Sequence, residues 1–303
     1  PGWMAVTLHA QHIALAHVRR GDGAKPVVGL IERVAREAGS DADALARLRR
    51  STGLARYRCT TTLAPGAYQV VQLNPPAVAA DEMKAALRWA VKDSLDFPAD
   101  DAVIDMLQVP ADGAPPGRPP LAFAVAARRD KVAERVQAFQ RARVKLKAID
   151  IAEAAQRNVA ALFEQPGRGI AMLAVHESGG LLTFTRHGEL YAARHIDISA
   201  EALADGADAE RRSAALERIG LELQRSLDNF DRQFSQVALQ RLLVASTAGA
   251  SSLVSYLAQN LYLPVEAADL AGVLDIAAFP ALADPAEQAR WMQAIGLALR
   301  EDD

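Results

Sequence analysis

The residues of this chain that could do chemistry are mainly histidines, and five of its six histidines lie in or beside two turns. His9, His12 and His17 belong to one turn, and His176 and His187 to the other. Imidazole nitrogens bind Zn²⁺ and, when protonated, anions, so a metal or phosphate site would form if the two turns faced each other. His9 and His12 lack the spacing of helical zinc ligands, and the sequence fixes no acid nearby. Ordinary turn histidines are therefore the favoured interpretation.

Other familiar catalytic patterns are missing from the sequence. It contains no GxxxxGK(S/T), GxGxxG, CxxC or HExxH motif. Ser251 and Ser252 have no predicted His and Asp companions, so they are interpreted as a helix N-cap rather than as nucleophiles. The remaining candidate carboxylates are scattered and suit capping or surface positions: Asp101, Asp105, Asp150 and Asp197.

Composition and charge argue against several classes of protein. With a net charge of −3 and a pI of about 6.1, the chain has no basic excess for nucleic acid or anionic lipid. Its one cysteine, Cys59, allows neither an intrachain disulfide nor a thiolate metal site, and is interpreted as a small buried residue in a protein of a reducing compartment. No apolar run reaches the roughly 18 residues that span a bilayer, and no signal peptide is visible.

Two β-hairpins, one at the start of each half of the chain, are the clearest predicted elements. The first joins Met4–Leu8 to Ile13–Val18, and the second begins with the apolar strand Ile170–Val175. Each hairpin is followed by mixed strands and helices, which indicates a duplication of α/β subdomains at a spacing of about 165 residues. We therefore predict a first subdomain over residues 1–165 and a second over residues 166–303.

The elements that follow the hairpins are predicted from periodicity and turn signals. Tyr57–Thr62 and Tyr68–Leu73 form a further hairpin across a Pro-Gly turn. The strand–helix–strand–helix order over residues 121–163 indicates a parallel layer covered by helices. The proline-rich residues 110–120 form a loop. A closing amphipathic helix, residues 286–300, can pack back on the first subdomain.

Six stretches, taken in their order and spacing, resemble one protein family. They are Ala122–Ala127, Val144–Ile151, Arg186–Arg194, Glu217–Phe230, Leu257–Val265 and Ala294–Glu301. Similar segments occur in the PilM group of type IV pilus assembly proteins, and the MshI type of mannose-sensitive haemagglutinin (MSHA) pili is the most similar. The resemblance covers nearly the whole chain. It implies an α/β, actin-like ATPase fold, with two RNase H-like subdomains whose mixed sheets surround a cleft.

The resemblance also implies a nucleotide site, but this chain departs from it. The family's first phosphate turn carries an Asp that organises Mg²⁺, a Gly that lets phosphate approach and a Lys beside the phosphates. The matching positions here are Thr7, His9 and Ala14. In the second phosphate turn neither family acid remains, and the residues that could still receive an anion are Ser178, Gly179 and Gly180. The adenosine loop keeps Gly249 alone. No cofactor is therefore expected, and ATP with Mg²⁺ is disfavoured.

What the resemblance leaves is protein binding. PilM-type proteins bind the N-terminal cytoplasmic peptide of PilN, a bitopic membrane protein, in a groove of the first subdomain. The matching groove would lie near Tyr68–Leu73 and a predicted amphipathic helix, Met83–Leu95. Tyr68, Arg88 and Trp89 are the residues we expect to contact the peptide, since Trp and Arg are common interface anchors. The alternative is that Trp89 lies on the core side of its helix.

These expectations combine into one functional hypothesis and its rivals. The chain is expected to be a non-catalytic scaffold of a type IV (MSHA-like) pilus assembly complex, cytoplasmic and peripheral to the bacterial inner membrane. It would bind a PilN-like peptide and other pilus assembly proteins, but not nucleic acid. One rival is a functional ATP-binding PilM-type ATPase. The other is the cytoplasmic domain of a GspL-like type II secretion protein, which the lack of a transmembrane segment disfavours.

Overall fold

The structure, a computed structural model, describes residues 2–21, 25–113 and 117–301. The chain forms two compact units. The first unit comprises Pro1–Trp3, Leu15–Glu32 and Ala152–Asp303, and the second comprises Met4–Ala14 and Arg33–Ile151. Within the described ranges, no helix is long and apolar enough to cross a bilayer.

A five-stranded sheet is built mainly from the start of the chain. Its strands are β1 (Met4–Leu8), β2 (His12–Arg19), β3 (Val27–Ala35), β4 (Cys59–Thr62) and a later strand, β8 (Leu146–Asp150). They lie in the order β3-β2-β1-β4-β8, and β4 runs parallel to both of its neighbours. Every residue of β4 is buried, which confirms the predicted position of Cys59. Burial raises the pKa of the Cys59 thiol to about 12, so this thiol is inert at neutral pH.

A second five-stranded sheet repeats the same topology. Its strands are β9 (Gly169–His176), β10 (Gly179–Arg186), β11 (Glu189–Ile196), β12 (Leu239–Ser246) and β13 (Val265–Ala267). They lie in the order β11-β10-β9-β12-β13, with an antiparallel meander followed by two parallel strands. The two sheets match strand for strand, and β9 begins about 165 residues after β1, at Gly169 against Met4. The predicted duplication is confirmed.

A three-stranded antiparallel sheet interrupts the first repeat. It contains β5 (Tyr68–Leu73), β6 (Ala102–Val109) and β7 (Leu121–Arg128), in the order β5-β7-β6. Helix α2 (Met83–Val91) covers it, and Leu87 and Val91 pack against Ala124 and Ala126 of β7. In the loop before β7, residues 110–113 and 117–120 form no helix or strand, as predicted, and residues 114–116 lie outside the described residues.

Two predicted strand pairings are wrong because β5 and β7 pair with each other in this inserted sheet. The hairpin between β4 and β5 does not form: β1 and β8 already occupy both edges of β4, and β5 pairs along its whole length with β7. The order β7–helix–β8 is not a parallel unit either. Strand β7 is flanked by antiparallel partners on both sides, whereas β8 pairs in parallel with β4 in another sheet.

Seven further helices complete the chain in the described ranges. They are α1 (Asp41–Thr52), α3 (Arg129–Arg141), α4 (Ala152–Ala160), α5 (Ala209–Gln233), α6 (Ala250–Asn260), α7 (Leu270–Val273) and α8 (Pro285–Ala298). Helix α1 begins at the predicted cap, Ser40, which forms a capping box with Asp43. The predicted N-cap at Ser251 and Ser252 is wrong. Helix α6 starts earlier, after Gly249, whose left-handed backbone ends the preceding loop, so both serines lie in the first turn.

Helix α4 lies between the second five-stranded sheet and helix α8. The side-chain amide of Gln156 donates to the carbonyls of Met172 and Leu181 on that sheet. On the other side, Asn158 donates to the carbonyl of Gly296 in α8 at 2.9 Å. Packing thus places residues 152–160 in one unit with the second sheet, whereas the sequence put them in the first subdomain. The boundary at residue 165 stays a prediction.

Candidate functional site

The first candidate turn, residues 9–11 between β1 and β2, is held closed by its own groups. The backbone N–H of His9 donates to the carbonyl of His12 at 2.9 Å. The rings of His9 and His12 are stacked, with centroids 4.3 Å apart. The backbone N–H of His9 is therefore bonded within the hairpin, and the stacked imidazole rings lie where the resemblance predicts a glycine.

The other two positions of this turn are buried beneath it. The hydroxyl of Thr7 donates to the carbonyl of Ala14 at 3.3 Å and lies 3.1 Å from Nε2 of His9. Thr7 and Ala14 are only 2% and 7% exposed. Neither side chain carries the charge that Mg²⁺ or phosphate would require at these positions.

Two arginines that the sequence analysis did not single out close over the same turn. Arg36, just after β3, donates from Nη1 to the carbonyl of His9 at 3.0 Å and forms an ion pair with Asp41. Nη2 of Arg33, on β3, lies 3.2 Å from Nδ1 of His12. Sequence spacing gives no signal for these contacts, because they depend on the register between β2 and β3.

The second candidate turn, between β9 and β10, is a tight hairpin in the first unit. His176 pairs with Gly179, so Glu177 and Ser178 form the exposed two-residue tip. Gly179 has φ +133°, which favours glycine, and Gly180 is buried and extended. Burial lowers the pKa of His176, while the neighbouring Glu177 carboxylate opposes this shift. A lowered pKa disfavours the positively charged form of His176, which is the form that would attract an anion.

Gly249, the remaining glycine of the predicted adenosine loop, is in close contact with another segment of its unit. A side chain at Gly249 would place its Cβ 1.9 Å from the carbonyl oxygen of Leu203, and its φ is +63°. Leu203 ends a short 3-10 helix, Ala200–Leu203, that sequence reasoning did not find. The absence of a side chain at Gly249 thus serves this packing.

Replacing Gly249 with alanine is expected to destabilise the first unit by about 2–3 kcal/mol. The left-handed backbone costs about 1 kcal/mol with a side chain, and the contact with Leu203 adds an overpacking cost. Gly167→Ala is the matched control, since Gly167 also has a positive φ (+76°) but no heavy atom within 4 Å of the new Cβ. Chemical denaturation measures both variants. Equal losses would contradict the contact with Leu203.

The described residues do not fit the ATP–Mg²⁺ that the fold family implies. In the first turn, the backbone N–H of His9 is already bonded to the carbonyl of His12. Thr7 and Ala14 stand where the resemblance predicts an Asp and a Lys. The carbonyl of Leu203 lies against Gly249 in the adenosine loop. Among the residues that the structure describes, no group of three or more His, Cys, Asp or Glu side chains could hold a metal ion.

Helix α2 presents an aromatic residue to solvent. Its buried face consists of Leu87 and Val91, and Trp89 lies on the opposite side with 81% of its surface exposed. The alternative that placed Trp89 on the core side is wrong. A tryptophan at this exposure leaves a large apolar ring in water, which is the condition of an interface anchor before its partner binds.

The other two predicted contact residues differ in exposure. Arg88 is half-buried, and among the described residues its Nε has no hydrogen-bond partner although it is out of contact with water. Tyr68 is 9% exposed at the start of β5, in the sheet that α2 covers. Trp89 faces away from that sheet, so Tyr68 and Trp89 do not line one surface.

A buried carboxylate that the sequence did not reveal lies elsewhere in the first unit. Glu153 on α4 has 1% of its side chain exposed, and Nε2 of His195 on β11 lies 2.8 Å from its Oε1. The hydrogen bond to Glu153 raises the pKa of His195 above its ordinary value, although partial burial opposes the shift. His195 is 67% exposed, so solvent screens part of this interaction.

Replacing His195 with glutamine is expected to reduce the pH dependence of stability. The pKa of His195 is raised in the native state, so its contribution to the free energy of unfolding is fully present below the unfolded value of 6.5. That contribution is lost as pH rises through the raised native pKa. The melting temperature of the wild type should therefore fall over this window more than that of H195Q, which cannot titrate there. Parallel profiles of melting temperature against pH for the two proteins, measured by differential scanning fluorimetry, would contradict the interaction between His195 and Glu153.

Solved structures are similar to this chain in fold. The chain overlays on the protein of a PilM–PilN type IV pilus biogenesis complex with a TM-score of 0.73 and 22% sequence identity, covering 99% of this chain and 98% of that chain. A Bacteroides thetaiotaomicron protein with an actin-like ATPase fold and unknown function overlays with a TM-score of 0.51 and 8% identity, covering 93% and 96%. The chain has the actin-like ATPase fold.

Other comparisons are weaker. This chain also aligns with the cytoplasmic domain of EpsL, an inner membrane component of the type II secretion system of Vibrio cholerae. The TM-score is 0.48 and the sequence identity 13%, over 81% of this chain and 82% of that chain. No protein-family model and no curated protein matches the sequence.

Proposed function

We propose that this chain is a non-catalytic scaffold of a type IV, MSHA-like pilus assembly complex. It binds the N-terminal cytoplasmic peptide of a PilN-like bitopic membrane protein. It works in the cytoplasm at the inner face of the bacterial inner membrane, and it belongs with MshI-type members of the PilM group. Its actin-like fold is kept for the surfaces it presents.

The exposed Trp89 carries this proposal. Helix α2 buries Leu87 and Val91 in the core of the three-stranded sheet and turns Trp89 outward. Arg88 beside it holds a buried, unpaired Nε in the described structure. Trp and Arg are common interface anchors, and here they are neighbours on one short helix. Tyr68 stays a predicted contact, with little surface to offer.

The state of the nucleotide turns favours binding over catalysis. The backbone N–H of His9 is bonded to the carbonyl of His12 within the hairpin, and the carbonyl of Leu203 lies against Gly249. A working ATPase of this fold needs open backbone amides and a Mg²⁺-organising carboxylate at these places. The similarity to a PilM that is bound to PilN supports a peptide partner of the PilN kind.

The test is a binding measurement with defined peptides. Fluorescein-labelled peptides covering the N-terminal cytoplasmic segments of the bitopic pilus-assembly proteins of the same organism are titrated with the full chain by fluorescence anisotropy. We expect one of them to bind saturably and its scrambled version not to bind. If no such peptide binds while ATP–Mg²⁺ does, the chain has a working nucleotide site and the scaffold proposal is wrong.

A further inference from the structure

We propose a second protein-binding surface on the second unit, where an extended, acidic segment of a partner adds to the free edge of β8. This surface is distinct from the Trp89 face of α2 and does not rest on the proposed function. It consists of the strand β8, the C-terminal half of α3 and the turn between them.

The first observation is that β8 ends its sheet. It pairs with β4 on one side and is the last strand in the described order β3-β2-β1-β4-β8. Alternate N–H and C=O groups of an edge strand point outward and can pair with another extended chain. The strand Leu146–Asp150 is about 16 Å long. The N–H of Leu146 already donates to the carbonyl of Val144 at 3.0 Å, so an added strand would pair beyond this residue.

The second observation is a groove of mixed character along this edge. It has a volume of about 440 Å³, and its walls combine apolar side chains of α3 and β8, such as Val136, Leu146 and Ile149, with Lys145 and Lys147. Leu146, Ala148 and Ile149 are only partly buried, although they lie in a sheet. Side chains that alternate along an added strand would enter this groove and remove its apolar surface from water.

The third observation is a strip of positive charge beside the groove. Arg141, Arg143, Lys145 and Lys147 are all exposed and occur at every second position. Within the described residues none of the four forms an ion pair, and the acids Asp130 and Glu134 of α3 pair with Arg128 and Lys131. The four side chains give this edge a local positive charge in a chain whose net charge is −3.

The positive charge of this strip determines which class of partner fits the surface. Two copies of this chain joined through β8 would bring their cationic strips together, which is unfavourable. Nucleic acid would meet the charge but would leave the strand edge and the apolar side chains of the groove unused. A peptide that alternates apolar and acidic side chains satisfies all three features, because its backbone pairs with β8 while its carboxylates reach the strip.

The test uses a ten-residue probe peptide of alternating isoleucine and glutamate, labelled with fluorescein. Its two twins carry lysine in place of glutamate, or N-methyl groups on alternate amides. Binding to the full chain is measured by anisotropy, and the position is located by amide hydrogen exchange. We expect the acidic peptide to bind at least about tenfold more tightly than either twin, which is about 1.4 kcal/mol, and to protect the amides of β8.

A charge-reversed variant, Lys145→Glu with Lys147→Glu, should lose about tenfold in affinity for the acidic probe. Arg50→Glu with Lys84→Glu is the matched control, since Arg50 and Lys84 are exposed in the same unit but lie outside the groove. Equal binding of the twins, no binding of any peptide, or protection away from β8 would overturn the proposal. So would tighter binding of a single-stranded oligonucleotide, or a dimer that the charge-reversed variant abolishes.

Discussion

Gly296→Ala should destabilise the first unit by about 3 kcal/mol or more. Helices α4 and α8 approach so closely that a Cβ at Gly296 would lie 2.1 Å from the carbonyl oxygen of Ala155 and 2.7 Å from its carbonyl carbon. A clash with backbone cannot be relieved by a rotamer change, so α8 must move. That movement would also strain the bond from Asn158 to the Gly296 carbonyl.

The melting temperature reports this loss as a fall of about 6–12 °C, and denaturant titration gives the free energy. Gly206→Ala is the matched control, because Gly206 is exposed and a new Cβ there meets no heavy atom within 4 Å. The control should stay within about 0.5 kcal/mol of the wild type. A Gly296→Ala protein as stable as this control would show that α4 and α8 do not pack as described.

Trp89→Ala should weaken binding of the partner peptide by about 30-fold or more without unfolding the protein. A buried interface tryptophan contributes about 2 kcal/mol or more on truncation, whereas Trp89 is 81% exposed in the free chain and supports little of its core. The expected change in the free energy of unfolding is therefore within about 0.5 kcal/mol. Anisotropy with the peptide identified above measures affinity, and denaturation measures stability.

Leu221→Ala supplies the matched control for this prediction. Leu221 is another exposed apolar residue, at 54%, but it lies on α5 in the first unit. Its removal should leave peptide affinity unchanged. If Trp89→Ala binds as tightly as Leu221→Ala, then α2 is not the docking face. If Trp89→Ala unfolds instead, the ring has a structural role that its exposure does not suggest.

The repeated architecture could be predicted because its signals are local. Apolar strands joined by short turns mark both opening hairpins, and the match between Met4–Leu8 and Gly169–His176 fixes the spacing of the repeat. The orientation of Trp89 stays open in the sequence, because an aromatic residue suits either the core or an interface. The structure places it opposite Leu87 and Val91.

The actual partners of β4 and β5 could not be predicted, because they depend on competition between distant strands. The Pro-Gly turn between them is a genuine hairpin signal. The hairpin does not form because β1 and β8 occupy both edges of β4. The sequence near the turn does not indicate these distant partners.

The candidate site shows the same limit. Sequence identifies Thr7, His9, Ala14 and Gly249 as departures or remnants of a nucleotide site. It does not show that the amide of His9 is bonded to His12, nor that the carbonyl of Leu203 lies against Gly249. The first is a detail of the turn geometry within the opening hairpin, and the second is a tertiary contact between segments that have no shared pattern. The pair of Glu153 and His195 is hidden for the same reason.

Titration of the full chain with ATP–Mg²⁺ by isothermal calorimetry, together with a thermal shift at about 1 mM nucleotide, tests the central claim most directly. The claim is that this actin-like fold serves protein binding and has no working nucleotide site. A ligand at a hundredfold over its Kd would add about 2.7 kcal/mol to the free energy of unfolding, which would raise the melting temperature by several degrees. We predict no saturable heat and no shift. A stoichiometric heat with a clear rise in melting temperature would contradict the account.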